Sequence, residues 1–331
     1  VVPDDPGVTQ ATIDVLFCAD GPYFQHMGAT IASLLRANRT RLFRLFICAA
    51  ERDVSAEEKI TIIAERFGNA MTRFIYFDVT QRYGRLRTDR YLTIATYLRL
   101  FVTDYLDSQI AKLLYLDCDV IVCDDISVLW ETDLGESMVA AVPEPYITRH
   151  PGFVEGEPYF SAGVLLLDVR RWRSADVVSH FLTFAQRNES VLMSHDQDIL
   201  NNVFKGRIKA LPYRWNFQAS FADLEAAALN LRDVEFRELR RRPAIVHYTG
   251  RFKPWWYEHQ PHYKSLYWDA LQHTPWSAYQ PPDRTRRVLL ARVLRGTRLR
   301  ERLNWYAPRL LDSIRGALGR PTRLRIDSSV P

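Results

Sequence analysis

The chain has 331 residues, 47% of them hydrophobic and 25% charged, with a net charge of +5. That is the composition of a folded protein and excludes a disordered or fibrous chain. No apolar run reaches the ~20 residues that cross a bilayer, and four cysteines do not make a disulfide framework in a chain of this size, so a cytosolic or peripheral protein with buried, reduced thiols is expected.

The first apolar run, Ile13 to Cys18, predicts a β-strand, and helical spacing follows through Ile31 to Ala37 until Asn38. Leu42 to Ala49 predicts a second strand. Ser55 and Glu58 have the spacing of a capping box for a helix to about Phe67, and Arg73 to Phe77 predicts a third strand. The unit repeats through a helix near Thr93 to Leu106 and a strand at Lys112 to Leu116. Strands joined by crossover helices are almost always parallel, with ligands at their carboxyl ends. The loops after Cys18 and Leu116 should therefore face one cleft. Beyond Trp130 come a strand near Met138 to Val142, a Pro- and Gly-rich loop from Pro143 to Pro158 and a strand at Gly163 to Leu167. Helices follow at about Ala175 to Arg187 and Asp196 to Phe204. The proline-rich stretch 274–283 marks a boundary. The expected organisation is an N-terminal extension (1–11), a main domain (12–273) and a tail (274–331).

Asp117 and Asp119 stand two residues apart where the run Lys112 to Leu116 ends. If the strand conformation persists they point to the same side, and two such acids suit a hard divalent cation with oxygen ligands, Mg²⁺ or Mn²⁺ beside a diphosphate. Taken alone, Asp-x-Asp also occurs in solvated turns. The apolar lead-in of Leu113, Leu114 and Leu116 places this pair at a sheet edge.

Here the sequence resembles the retaining GT-A glycosyltransferases of family 8, a group that contains bacterial lipooligosaccharide galactosyltransferases and, more distantly, glycogenin. Further segments match in order. Phe17 to Tyr23 looks like the uridine-binding first loop, with Asp20 and Tyr23 at base and ribose. Thr96 to Leu100 looks like the helix whose arginine, here Arg99, reaches donor and metal. Tyr159 to Leu165, continuing to Trp172 and Arg173, resembles the strand under the sugar pocket, and His195 to Asn201 resembles the active-site helix. His247 to Trp255 matches the closing loop closely. The resemblance covers roughly residues 12 to 260. It departs at Ser161, where relatives usually carry Asn, a difference that bears on donor-sugar or acceptor preference.

The resemblance implies an α/β, Rossmann-like GT-A mixed sheet with flanking helices and a UDP-galactose or UDP-glucose donor; composition and spacing add a basic helical C-terminal tail. The resemblance also implies a saccharide or glycolipid acceptor and a metal held by Asp117, Asp119 and His247. Donor contacts would come from Asp20, Tyr23, Thr96, Arg99, Asp117, Ser161, Gly250 and Lys253. Asp196 would bind donor-sugar hydroxyls, with Gln197 near the anomeric carbon. Gln is a poor nucleophile, which favours front-face attack over double displacement. Each residue also has a plainer reading: a structural histidine at 247, a solvated Lys253, an Arg99 paired with Asp104, and an Asp196 that favours a helix N-terminus. A sugar-nucleotide pyrophosphorylase is the alternative enzyme, although Asp20 to Tyr23 lacks a Gly-rich phosphate loop. A non-catalytic, membrane-bound sugar-binding module is the third reading.

Residues 281–331 hold thirteen arginines, no lysine and four acids, a surplus of nine positive charges that leaves the rest of the chain at −4. Within this tail Leu310, Leu311, Ile314 and Leu318 share one helical face from Pro308 on. Arginine and leucine mixed this way read as an interfacial helix on an anionic membrane, with a packed terminal helix as the alternative. Nothing accompanies the charge as a nucleic-acid-binding motif, so no nucleic-acid partner is expected. The expected place is the cytoplasm, peripheral on the inner face of the membrane.

Overall fold

The computed structural model describes residues 12–84, 86, 94–145, 152–153, 156–285 and 288. Strands β1 (Ile13–Cys18), β2 (Phe43–Ala49) and β3 (Ala70–Tyr76) pair in parallel, joined by helices α1 (Phe24–Ala37) and α2 (Val54–Phe67). Strand β1 is buried along its whole length because both of its faces are covered. Val15 and Phe17 pack with Ile31, Leu34, Ile60 and Ile63 on one side. Leu16 and Cys18 pack with Tyr97, Leu98 and Phe101 on the other.

Strand β4 (Lys112–Leu116) pairs parallel with β1, Leu16 beside Tyr115, so the loops after Cys18 and Leu116 leave the same edge, as expected. The chain then enters a small second sheet with β5 (Val120–Val122). It returns to the main sheet with β6 (Val139–Pro143), β7 (Phe160–Asp168) and β8 (Ile208–Ala210), and completes the small sheet with β9 (Phe217–Gln218) and β10 (Ile245–His247). The main sheet runs β3-β2-β1-β4-β7-β6-β8 and is mixed, since β7 is antiparallel to both β4 and β6. The small sheet runs β5-β10-β9.

Local expectations shift in three places. Helix α2 is capped by Asp53, whose side chain accepts the Ala56 N–H, in place of the Ser55–Glu58 box. The helix expected over Thr93 to Leu106 is two single turns, Ala95–Leu98 and Val102–Tyr105, parted at Phe101. Cys18, Cys48 and Cys118 are buried free thiols, but Cys123 is exposed.

The chain divides into two compact units, and all the strands among the described residues lie in the first. The second takes in Trp256–His259 and the chain from Gln280. Within it the Asp283 carboxylate accepts the backbone N–H groups of Tyr257 and Glu258, each at 2.7 Å. Among the described residues no helix is long and apolar enough to cross a membrane. The N-terminal extension, part of the loop Pro143 to Pro158 and the helix read at Pro308 to Leu318 lie outside the described residues.

Candidate active site

The turn between β4 and β5 carries Asp117 and Asp119 and is pinned from several directions. Asp117 N–H donates to Gly163 O (2.8 Å), and Tyr248 N–H donates to Asp119 O (3.0 Å). The Thr30 hydroxyl from α1 lies 2.7 Å from Val120 O and 3.0 Å from Cys118 O. Strand β10 runs antiparallel to β5 with His247 opposite Val120, and this pairing brings an imidazole 128 residues away in sequence onto the acidic pair. His247 Nε2 lies 3.1 Å from Asp119 Oδ1 and 3.5 Å from Asp117 Oδ2. Among the described residues, Asp117, Asp119 and His247 form the one group of three or more side chains placed to hold a metal ion, their ligand atoms all within 4.8 Å of one another.

Strand β7 lies under this group and is irregular there. Ala141 of β6 pairs with Leu165 and Pro143 with Phe160, so two steps along β6 answer five along β7. Such bulges commonly sit beside sites, because they re-aim groups that a regular ladder would consume. The freed backbone is satisfied by side chains instead. Ala162 N–H donates to Gln197 Oε1 (2.8 Å), and Ala162 O accepts from Arg99 Nη1 (2.8 Å). Asn201 bonds both the N–H and the carbonyl of Phe160. A Cβ on Gly163 would sit 2.1 Å from His247 Cε1 and 2.8 Å from Asp117 Oδ2, so only glycine leaves the ligand group its space.

Two cations close on the acids. Arg99, buried, contacts Asp117 Oδ1 at 2.9 Å and Asp196 Oδ2 at 3.2 Å, and stacks 4.4 Å from the Tyr115 ring. Burial alone would favour its neutral form, but Asp117 foremost and Asp196 outweigh that and hold it charged. Arg99 therefore does not pair with Asp104. Lys253 Nζ meets Asp119 Oδ2 and donates to Tyr248 O at 2.7 Å, so it is not a solvated surface charge. Burial would raise the Asp119 carboxyl; the Lys253 ammonium foremost overcomes this and holds it far below the usual range. Asp196 has the opposite balance. Burial raises it, although Arg99 and the Thr96 hydroxyl (2.8 Å) pull it back.

The remaining expected residues border this centre. Asp20 precedes the short turn Gly21–Tyr23, and its carbonyl accepts the Tyr23 N–H. The Tyr23 ring meets the Trp255 ring edge-on at 5.8 Å, and burial and the Asp119 charge raise its hydroxyl pKa. His26 stacks on Trp255 at 3.6 Å, and burial lowers its pKa to about 3, so it is neutral. Ser161 is buried in the irregular part of β7, and Gly250 has a positive φ of 68° in the loop between His247 and Lys253. Gln197 opens the helix His195–Val203 and touches β7 through Ala162.

Residues 14–259 match glycosyl transferase family 8. The chain belongs to that family. General stress protein A of Bacillus subtilis is 28% identical over 81% of this chain and 96% of its own length. The lipopolysaccharide 1,2-glucosyltransferase of Escherichia coli is 27% identical over 83% of this chain and 82% of its own. The crystal structure of the galactosyltransferase LgtC, in complex with donor and acceptor sugar analogues, superposes with a TM-score of 0.70. Its identity is 27%, over 80% of this chain and 96% of LgtC. The architecture of this family 8 protein is accordingly GT-A: a mixed α/β sheet with flanking helices.

Sequence reasoning missed part of this family 8 site. Tyr115, whose hydroxyl donates to Asp117 Oδ1 at 2.7 Å, was readable as the residue two before it on the same strand. Gly163 was legible only as a strand glycine, a mark of close approach without its target. Asn216, 2.8 Å from His247 Nδ1, left no signal, because nothing local to it predicts β10 as a neighbour.

Proposed function

We propose that this glycosyltransferase moves galactose or glucose from a UDP-sugar to a saccharide hydroxyl of a glycolipid or lipopolysaccharide core, with retention of configuration and with Mn²⁺ or Mg²⁺ as cofactor. The observation that carries this reading is the convergence of Asp117, Asp119 and His247 over the space that Gly163 leaves open, with Arg99 and Lys253 alongside. Two carboxylates suit either cation, and the imidazole tilts the set toward Mn²⁺. A cation there would neutralise diphosphate charge as the leaving group departs. The galactosyltransferase structure and the lipopolysaccharide glucosyltransferase relative support the hexose and the acceptor class.

Gly250 gives the backbone close approach to the diphosphate, and Lys253 adds positive charge beside it. Asp20 and Tyr23 face base and ribose; Thr96, Asp196 and Ser161 border the donor sugar. Gln197 stands beside the anomeric carbon, but its Oε1 already accepts the Ala162 N–H and is not a nucleophile. The acceptor oxygen attacks from the face that the diphosphate leaves, and its proton passes to a diphosphate oxygen. Electrostatic stabilisation of the departing charge supplies most of the rate.

The test is UDP release from both donors with simple glycoside acceptors, with and without Mn²⁺, and NMR of the product anomer. Asp119→Ala should lower kcat/KM by about 10³-fold, about 4 kcal/mol, with an unchanged circular dichroism spectrum. Transfer that survives chelation, or an inverted product, sinks the reading. Gln197→Ala should lower kcat by about tenfold with Mn²⁺ affinity intact, a modest electrostatic loss. A full rate would remove Gln197 from the reacting centre.

The arginine-rich tail is proposed to hold the enzyme at an anionic membrane surface on the cytoplasmic side. Deleting residues 286–331 keeps Asp283 and its bonds to residues 257 and 258. The deletion should abolish sedimentation with phosphatidylglycerol vesicles and spare transfer to soluble acceptors. Undiminished sedimentation refutes the anchor.

A further inference from the structure

The two nitrogens of His247 face different groups. Nε2 points at Asp119 and Asp117, 3.1 and 3.5 Å away. Nδ1 lies 2.8 Å from Asn216 Oδ1, and both residues are buried, at 4% and 1% exposure. Asn216 ends the short turn Tyr213–Asn216, directly before β9. Strand β9 pairs in parallel with β10, Phe217 beside Val246 and Gln218 beside His247, and this register holds the amide at the back of the imidazole ring.

The chemistry of that contact is selective. An amide oxygen only accepts, so it requires a proton on Nδ1, and a neutral imidazole then keeps its lone pair on Nε2, toward the carboxylates. Turning the amide over would present its NH₂ group to Nδ1 and move the proton to Nε2, between the two acids, where it closes the position to a cation. Asn216 Nδ2 is buried and finds no hydrogen-bond partner among the described residues, so the amide gains nothing on its other side. Its one bond is to His247, and a group kept buried for one bond is costly unless that bond matters.

We infer that Asn216 is a positioning residue that fixes the Nδ1–H tautomer of His247 and so sets the affinity of the Asp117–Asp119–His247 group for a divalent cation. The inference rests on the reading of that group as a cation site. Residues behind a metal-bound histidine commonly tune affinity by 10- to 100-fold when removed.

The experiment is titration of Mn²⁺, followed by electron paramagnetic resonance of the free ion, with UDP present. The full chain is compared with Asn216→Leu, Asn216→Ser and Asn216→Asp, and UDP affinity is measured separately in chelator. Leu and Ser substitutions should weaken Mn²⁺ by about 10- to 100-fold and leave metal-free UDP binding unchanged. Asn216→Asp should bind at least as tightly as the parent, because a carboxylate is an acceptor of nearly the same shape. Parent-like Mn²⁺ affinity in the Leu or Ser variant overturns the inference. If neither folds, tenfold weaker binding by Asn216→Asp overturns it alone, since that is what a packing role predicts. A parent chain that takes up no Mn²⁺ overturns the cation reading itself, a result distinct from either.

Discussion

The β1-β2-β3 flank and the β7 side of the same sheet differ in how their backbones are satisfied. Between β2 and β3 the register runs unbroken for seven residue pairs, Phe43 beside Ala70 through Ala49 beside Tyr76. Over Ser161 to Gly163 the β6–β7 register fails, and Arg99, Gln197 and Asn201 supply the bonds around it. Within the flank, β1 and β2 are held by apolar burial on both faces, which tolerates changes of detail if volume is kept, while β3 is a half-exposed edge. The β7 side is held by buried polar groups, each of which is costly to orphan. Stability and reaction chemistry therefore depend on different residues of one sheet.

The largest test of that contrast is Gly163→Ala. The added methyl would collide with His247 and Asp117, so activity should fall by about 10³-fold, about 4 kcal/mol, with Mn²⁺ uptake lost in calorimetry. A variant that turns over normally would break the contrast. Leu45→Ala, at a fully buried position of β2, should do the reverse. A cavity there costs roughly 2–5 kcal/mol in urea unfolding, while kcat of the folded fraction stays at the parent value. The smallest effect belongs to Asp269 and Arg36, an exposed pair at 2.6 Å between α1 and the helix Lys264–Leu271. Arg36 lowers the Asp269 carboxyl below its ordinary value. A depressed acid stabilises above its unfolded pKa and loses that contribution as pH falls through the folded one. Asp269→Asn should thus cost ~0.2–1 kcal/mol near neutrality, less in high salt, and nothing in strong acid, as read by Tm against pH.

Legibility followed the same division. Strands β1, β2 and β4 stand out as apolar runs because they are covered on both faces, and the acids at the end of β4 inherit their position from it. The turns Ala95–Leu98 and Val102–Tyr105 look like one helix in the sequence because Leu98, Leu100, Phe101 and Val102 are all apolar, and all buried, with no polar face to mark the break. At α2 two good caps competed, and Asp53, two residues earlier than Ser55, won by bonding Ala56 N–H. Asp117, Asp119 and His247 could be named from residue type and motif. Arg99 turning from Asp104 to Asp117 and Asp196, and Asn216 behind the imidazole, depend on strand pairings between distant segments, which short-range patterns do not encode.

The pairing of β10 with β5 also has a consequence for assembly. Synthesis delivers Asp117 and Asp119 early and His247 and Lys253 more than a hundred residues later. Until that late strand docks, the two acids lack both the ammonium that offsets their repulsion and the imidazole that completes the group, and closing so long a loop is slow. The Asp117–Asp119–His247 group is thus assembled only with the last strand of the small sheet, as a product of completed folding and not of its early stages.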